Sequence, residues 1–591
     1  MFASMIGFLL TIMVSVFIFG GIISAVVSSS QNKELPTVSD NSILHIKLEN
    51  RVMDRPSNNP FENFDFGSFE DKTPLSLADI VSSIKLAKIN DRIKGIYLDI
   101  QNLNANLAST EEIRNALLDF KSSGKFIVAY HEYIGQNEYY LSSVSDEIYL
   151  NPSGGMTFKG LSAQIMFFKD ALERLDVDMQ VIRHGKFKSA IEPFTRNEMS
   201  EENKYQISEW VGSIWNHQVN GISSSRDVSI NDINEVADLL SIRKPEDAVN
   251  NNLIDGLKYE DEINEILKQK VDVDKDKDLK LITLKTFNRT RKPKVDSSNV
   301  VPYKRSSRNN IAVIYAEGEI ISGENQEGYM GSETISKAIK NAREDDRVKA
   351  IVLRVNSPGG SALASDVIWR EVKLAKETKP LVVSMGDYAA SGGYFISCPA
   401  DKIYAESTTI TGSIGVFGLI PNMEGMFNNK LGIHIDKVNT NKFSDGISAF
   451  RPMENTERNA IKEMIEKIYD DFTTKVSEGR EMTKAQVDSV GQGRVWSGDM
   501  AKDIGLVDEI GGLNDAIMEA IALAEISDYK LKELPAQEDP IQKMINELSQ
   551  NARIQLFGND FGLAERYYEN IKRVLSTDGI YTRLPVDFIF D

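Results

Sequence analysis

The chain has 591 residues, too many for one hydrophobic core, so two or more domains are expected. A formal net charge of −19 argues against non-specific nucleic-acid binding, which needs a basic face. A single cysteine, Cys398, excludes an internal disulfide. The five histidines (His45, His131, His184, His217, His434) lack metal-ligand spacing, so no metal and no cofactor is expected.

In chain order, residues 2–27 carry no charged side chain. A helix of that length, rising about 1.5 Å per residue, crosses a hydrocarbon core of about 30 Å. The competing reading is a cleaved secretory signal, whose apolar region is shorter and follows basic residues absent here. A retained transmembrane helix is therefore expected, followed by a polar tether over residues 28–42.

The rest is written twice. "NDRIKGIYLDIQN" (90–102) parallels "DDRVKAIVLRVNS" (345–357), and Tyr133, Tyr139 and Asp146 recur as Tyr388, Tyr394 and Asp401 in unbroken register. Each copy opens with an apolar strand, "ILHIKL" or "IAVIYA", then alternates helical stretches with short apolar runs. That alternation predicts parallel βαβ units whose strands are covered on both faces. The expected layout is a first copy at 40–270, a linker at 271–308, a second copy at 309–535 and a helical tail at 536–591.

Chemistry concentrates in the second copy. "GDYAASGGYF" sets Ser391 among Ala389, Ala390, Gly392 and Gly393, small residues that permit a sharp turn and close substrate approach. "RVNSPGGSALAS" places Gly359 and Gly360 after the neighbouring apolar run and before a helix. In a parallel sheet both loops emerge at the same edge. The N–H of Gly392 and that of Gly359 or Gly360 are thus candidate donors to an oxyanion. A serine nucleophile needs a base, and no histidine lies within forty residues of Ser391. His434, the one histidine of the second copy, sits in the alternating run "LGIHIDKV", which reads as a buried or strand-face position.

"NSPGG", "AASGGY" and "TGSIGV" together resemble the signal peptide peptidase A family in its double-length form, and more distantly the caseinolytic protease and crotonase folds. The resemblance covers the N-terminal span, both copies and the linker. It implies an α/β fold of tandem crotonase-like or caseinolytic-protease-like domains, and a serine protease with a lysine base. The family's lysine motif matches "RHGKFKSAIEPF" in the first copy, at Lys188; Lys186, two residues away, would share its face on an extended segment. Ser413 of "TGSIGV" resembles a family serine that hydrogen-bonds the lysine. The repeat agrees: Ser391 aligns with Gln136, and Lys188 with Ser444, so each copy lacks what the other has. The resemblance further implies cleavage of signal peptides and other apolar peptides, contact with membrane lipid, a homo-tetramer, and a single-pass protein of the bacterial inner (cytoplasmic) membrane with its catalytic part on the periplasmic side. Two other readings are a crotonase-like acyl-CoA enzyme, which needs no activated serine, and a catalytically silent membrane scaffold.

Overall fold

A computed structural model of the chain describes residues 36–56, 73–290 and 306–537, with the backbone alone of the short strands Phe64–Asp65, Glu70–Asp71 and Gly579–Arg583. The expected helix at 2–27 lies outside these residues; among the described residues no helix is long and apolar enough to cross a membrane.

Two parallel sheets of the same strand order form the body. The first runs Gly256–Leu257, Glu147–Met156, Phe126–Ile134, Ile93–Asp99, Ser42–Ile46 and Leu281–Thr283. The second repeats that order with Glu509–Ile510, Lys402–Ala405, Leu381–Ala390, Val348–Ser357, Asn310–Glu317 and Lys530–Leu534, and adds a branch in which Ile410–Gly412 pairs parallel with the end of Leu381–Ala390 and antiparallel with Val495–Ser497. Both faces of each are buried. In the second sheet Ile314, Leu353 and Val383 join one apolar cluster, and Val313, Val352 and Val382 join another under Leu513–Leu523. Near-continuous apolar strands are what two-sided burial requires. Leu281–Thr283 falls within the stretch read as linker: a short apolar run completes the first sheet there, as Lys530–Leu534 completes the second. Most of the expected helical tail, 538–578, lies outside the described residues, and Gly579–Arg583 is a strand.

A third sheet ties the copies together. Its order is Tyr329–Gly331, Glu319–Ile321, Gly359–Ser361, Gly579–Arg583, Val416–Asn422 and Asp178–His184. Asp178–His184 belongs to the first copy, yet it pairs antiparallel with Val416–Asn422 of the second, from His184 opposite Val416 to Asp178 opposite Asn422. The corresponding stretch of the second copy, 434–440, forms no strand and is almost wholly exposed. His434 is thus a surface residue, not the buried or strand-face one its alternating neighbours suggested, because no strand among the described residues pairs with its segment.

A buried charged joint also spans the copies. Arg354 is 1% exposed; its Nη2 lies 2.7 Å from Asp54 Oδ1 and 2.5 Å from Glu112 Oε1, both first-copy groups. Ser109 donates through N and Oγ to Asp387, at 3.0 and 2.9 Å.

Candidate active site

Strands Val348–Ser357 and Leu381–Ala390 are parallel neighbours, so the loops that follow them open at one edge. Ser391 heads the short helix Gly392–Ser397 with φ 55 and ψ −111, a conformation that strains a residue bearing a side chain. Its N–H donates to the Gly412 carbonyl at 2.8 Å, and its own carbonyl accepts from Phe395 N at 2.8 Å, so the strained turn is held from both sides. A Cβ on Gly392 would lie 3.1 Å from Gly359 Cα and 2.6 Å from Ser365 Oγ. Only glycine lets the Ser391 turn and the Pro-Gly-Gly loop approach so closely. The Gly359 N–H donates to Ser357 Oγ at 3.2 Å, and Gly360 pairs across to Ile320.

Lys188 arrives from the first copy. After His184 the chain turns at Gly185, φ 100, so Lys186 is exposed while Lys188 turns inward and is fully buried. The shared face expected for the two lysines is lost because the segment is a turn rather than a strand. Lys188 Nζ sits 2.8 Å from Ser391 Oγ, 3.0 Å from Ser413 Oγ and 3.1 Å from the Ser413 carbonyl oxygen. Burial disfavours the ammonium and pushes the Lys188 amine well below its ordinary range. Ser413, at φ 52, is a second serine held in the left-handed region, its N–H on the Arg494 carbonyl at 2.7 Å.

Several residues that place Lys188 carry no sequence motif. Gln206 Nε2 donates to the Phe187 carbonyl at 3.1 Å and to Ser189 Oγ at 3.0 Å, while its Oε1 accepts from Val495 N at 3.2 Å. Buried Glu192 accepts from Ser200 N and from Asn203 Nδ2, both at 3.0 Å, and so fixes the "EPF" turn. Gly493, φ 80, lies against the Lys188 backbone, where a Cβ would come within 2.6 Å. Arg494 stacks 4.0 Å over Trp496, with Phe187 and Tyr205 also around its guanidinium. The glycine pair of "VGQGRVW" marks this turn in the sequence, but nothing there says what it touches.

In the first copy the aligned loop holds no nucleophile. Gln136 stands where Ser391 stands in the second, and its Oε1 accepts from the N–H groups of Lys159 and Gly160 at 3.1 and 2.9 Å. Ser444, aligned with Lys188, is exposed.

Residues 119–274 and 373–527, more than half of the chain, match the description of peptidase family S49, one match in each copy. Over 455 residues the chain is 38% identical to Protease 4 of Haemophilus influenzae, spanning 76% of this chain and 72% of that protein. It is 35% identical over 523 residues to Protease 4 of Salmonella typhi, spanning 87% and 83%. It is 34% identical over 459 residues to the chloroplastic serine protease SPPA of Arabidopsis thaliana, spanning 76% and 66%. Among solved structures, a ClpP1 point mutant from Listeria monocytogenes matches at a TM-score of 0.24 and 20% identity, over 35% of this chain and 94% of that one. The paired family matches, on a doubled α/β fold, place the chain in peptidase family S49, as a serine peptidase.

Proposed function

We propose that the chain is a membrane-anchored endopeptidase that uses a Ser391–Lys188 dyad to degrade cleaved signal peptides and other apolar peptides. The 2.8 Å contact between Lys188 Nζ and Ser391 Oγ carries this reading. The neutral amine takes the Ser391 proton as Oγ attacks a peptide carbonyl. The N–H groups of Gly392 and of Gly359 or Gly360 receive the oxyanion. The Lys188 ammonium returns its proton to the leaving amine, the C–N bond breaks, and an ester to Ser391 remains. Lys188 then deprotonates a water that attacks the ester, releasing the acid and restoring the serine. Ser413 orients the amine through its hydroxyl and carbonyl.

The apolar stretch at 2–27 supports anchoring in the inner membrane, with the catalytic part on the periplasmic side, beside peptides left in the bilayer. Two caseinolytic-protease-like copies at 40–270 and 309–535, joined by 271–308, account for one set of catalytic parts divided between them. Self-assembly belongs to the same reading. Within the chain, Asp178–His184 pairs with Val416–Asn422. The aligned stretches, 434–440 and 161–167, each lie outside any strand. We propose that these two stretches, both on one molecule, pair between copies head to tail and close into a ring, which the family resemblance sets at four. A serine-directed fluorophosphonate should label Ser391 and nothing else, and Ser391→Ala should lower cleavage of an apolar peptide by roughly 10⁴-fold or more. Cleavage by Ser391→Ala at the parent rate would refute the assignment.

A further inference from the structure

One face of the helix Glu201–Arg226 runs along the second copy. Gln206, Trp210, Ser213 and His217 recur every three or four residues and so form one stripe. Gln206 Oε1 accepts from Val495 N, Trp210 shares an apolar cluster with Val495 and Ala390, and Ser213 Oγ lies 2.8 Å from Ser497 Oγ. His217 closes the stripe, with Nδ1 3.5 Å from Asp499 Oδ2 of the second copy. Its Nε2 lies 3.1 Å from Glu111 Oε1, on the first-copy helix Leu107–Lys121.

Both sides of this stripe lead to the proposed dyad. On the helix side, Gln206 holds the residues that flank Lys188. On the other, Val495–Ser497 pairs with Ile410–Gly412, the Gly412 carbonyl accepts from Ser391 N, and the Arg494 carbonyl accepts from Ser413 N. About 16 Å of helix separates Gln206 from His217. A slip or tilt of the helix at His217 therefore shifts the Lys188 turn relative to Ser391.

A neutral imidazole has one N–H and one lone pair. Between two carboxylates that lone pair would face one of them, so the position suits the imidazolium. Burial pushes the ring's pKa down, but Asp499 and Glu111 outweigh burial and bring it up to about 10. Around this pair lie further charges. Lys502 acts on Asp499 and pairs with Glu509 at 2.8 Å, and Glu209 borders the same cleft as His217. Glu406 lies beyond Glu111, and Tyr140 donates its hydroxyl to Glu111 Oε2 at 2.5 Å.

We propose that His217 is a positioning residue: by joining Glu111 of the first copy to Asp499 of the second, it fixes the register of Glu201–Arg226 and so holds the Lys188 turn against Ser391. The inference rests on the dyad reading and adds a remote clamp to it. The clamp persists while the ring is protonated and is lost as pH rises through about 10.

The test follows fluorophosphonate labelling and cleavage of an apolar peptide across neutral and alkaline pH, in the full chain and three variants. In the parent, the plateau given by a neutral Lys188 should end in a fall through about pH 10. His217→Gln, uncharged at every pH, should lower kcat and labelling roughly ten- to a hundredfold with KM little changed, and should lack that fall. His217→Arg, a permanent cation, should recover most of the rate and also lack the fall. Asp499→Asn removes one carboxylate and should move the fall to lower pH. Parent rates and an unaltered alkaline fall in His217→Gln and Asp499→Asn overturn the inference and leave the peptidase reading standing. Equal losses in His217→Gln and His217→Arg also overturn it, because they mark His217 as a packing residue. A parent chain that neither labels nor cleaves overturns the peptidase reading itself.

Discussion

A lysine can accept the Ser391 proton only while its amine is neutral, and in water it is neutral only above about pH 10.4. Lys188 solves this by burial: its amine is fully enclosed, contacts two serines, and is held well below its ordinary range by lost hydration alone. With Lys188 as the proposed base the protonated form is inactive, so kcat/KM should rise with pH through the lowered Lys188 pKa and level off, with the midpoint far below that of a free lysine. The sign for stability follows from proton counting. Between the folded and unfolded pKa values the unfolded chain binds the extra proton, so the fold gains stability as pH rises across that window, and the burial penalty is greatest at its acid end. Lys188→Met should therefore abolish cleavage at every pH and raise the melting temperature at neutral pH, a stabilisation on the order of a few kcal/mol. A pH–rate profile of the parent and thermal melts of both proteins check this. A variant that melts lower than the parent would mean that the amine's hydrogen bonds outweigh its desolvation.

At the scale of elements, the site exists because strand ends from two copies meet, and the buried charges at that meeting set its pH response. Glu317 ends the strand Asn310–Glu317 beside the Arg354 joint; burial, with Asp54 nearby, pushes its carboxyl up to about 7. A carboxyl raised in the folded state is protonated there and ionised in the unfolded chain. Its stabilising contribution is complete below about pH 4.5 and fades as pH rises to about 7. Glu317→Gln should flatten the fall in stability between those pH values, by a few kcal/mol at most, as read from denaturant midpoints at each pH; a parent whose midpoint does not fall in that window would refute the assignment. The parts of this arrangement differ in how plainly the sequence carries them. Ser391 stands out because a strained nucleophile turn needs its small neighbours adjacent in sequence. The doubled sheets stand out because register persists over two long stretches. Lys188 came through a family motif, since an isolated lysine carries no local mark of burial. Gln206, Tyr469 and Arg494 act through contacts with residues far away in the chain. Tyr469, stacked 3.8 Å on His184, holds the lysine strand from a helix nearly three hundred residues downstream. His434 misled because alternation signals a strand without naming the edge it pairs with.

For the whole molecule, that unpaired edge has a geometric consequence. Residues 434–440 align with Asp178–His184, and exposed apolar groups crowd them: Ile433 is 48% exposed, Ile435 51% and Val438 100%. A lone exposed valine is ordinary, but an alternating apolar segment outside any described strand invites strand pairing. Its proposed counterpart, 161–167, also lies outside any described strand, with Leu161, Ala163 and Ile165 packed against the buried Trp210 cluster and Ser162, Gln164 and Met166 exposed. Inside the chain the equivalent pairing carries the lysine to the serine; between chains it would join a segment aligned with the lysine strand to a copy whose catalytic loop holds Gln136. In the proposed ring the outer joints would be silent copies of the active one, and assembly would not complete the proposed dyad. Val438→Asp, which places a charge on the pairing face, should convert the assembled protein to a monomer in light scattering, while fluorophosphonate labelling of Ser391 persists because Lys188 comes from the same chain. Loss of labelling on dissociation would mean that the ring holds the two copies of each chain in their catalytic register, and a variant that stays assembled would place the interface elsewhere.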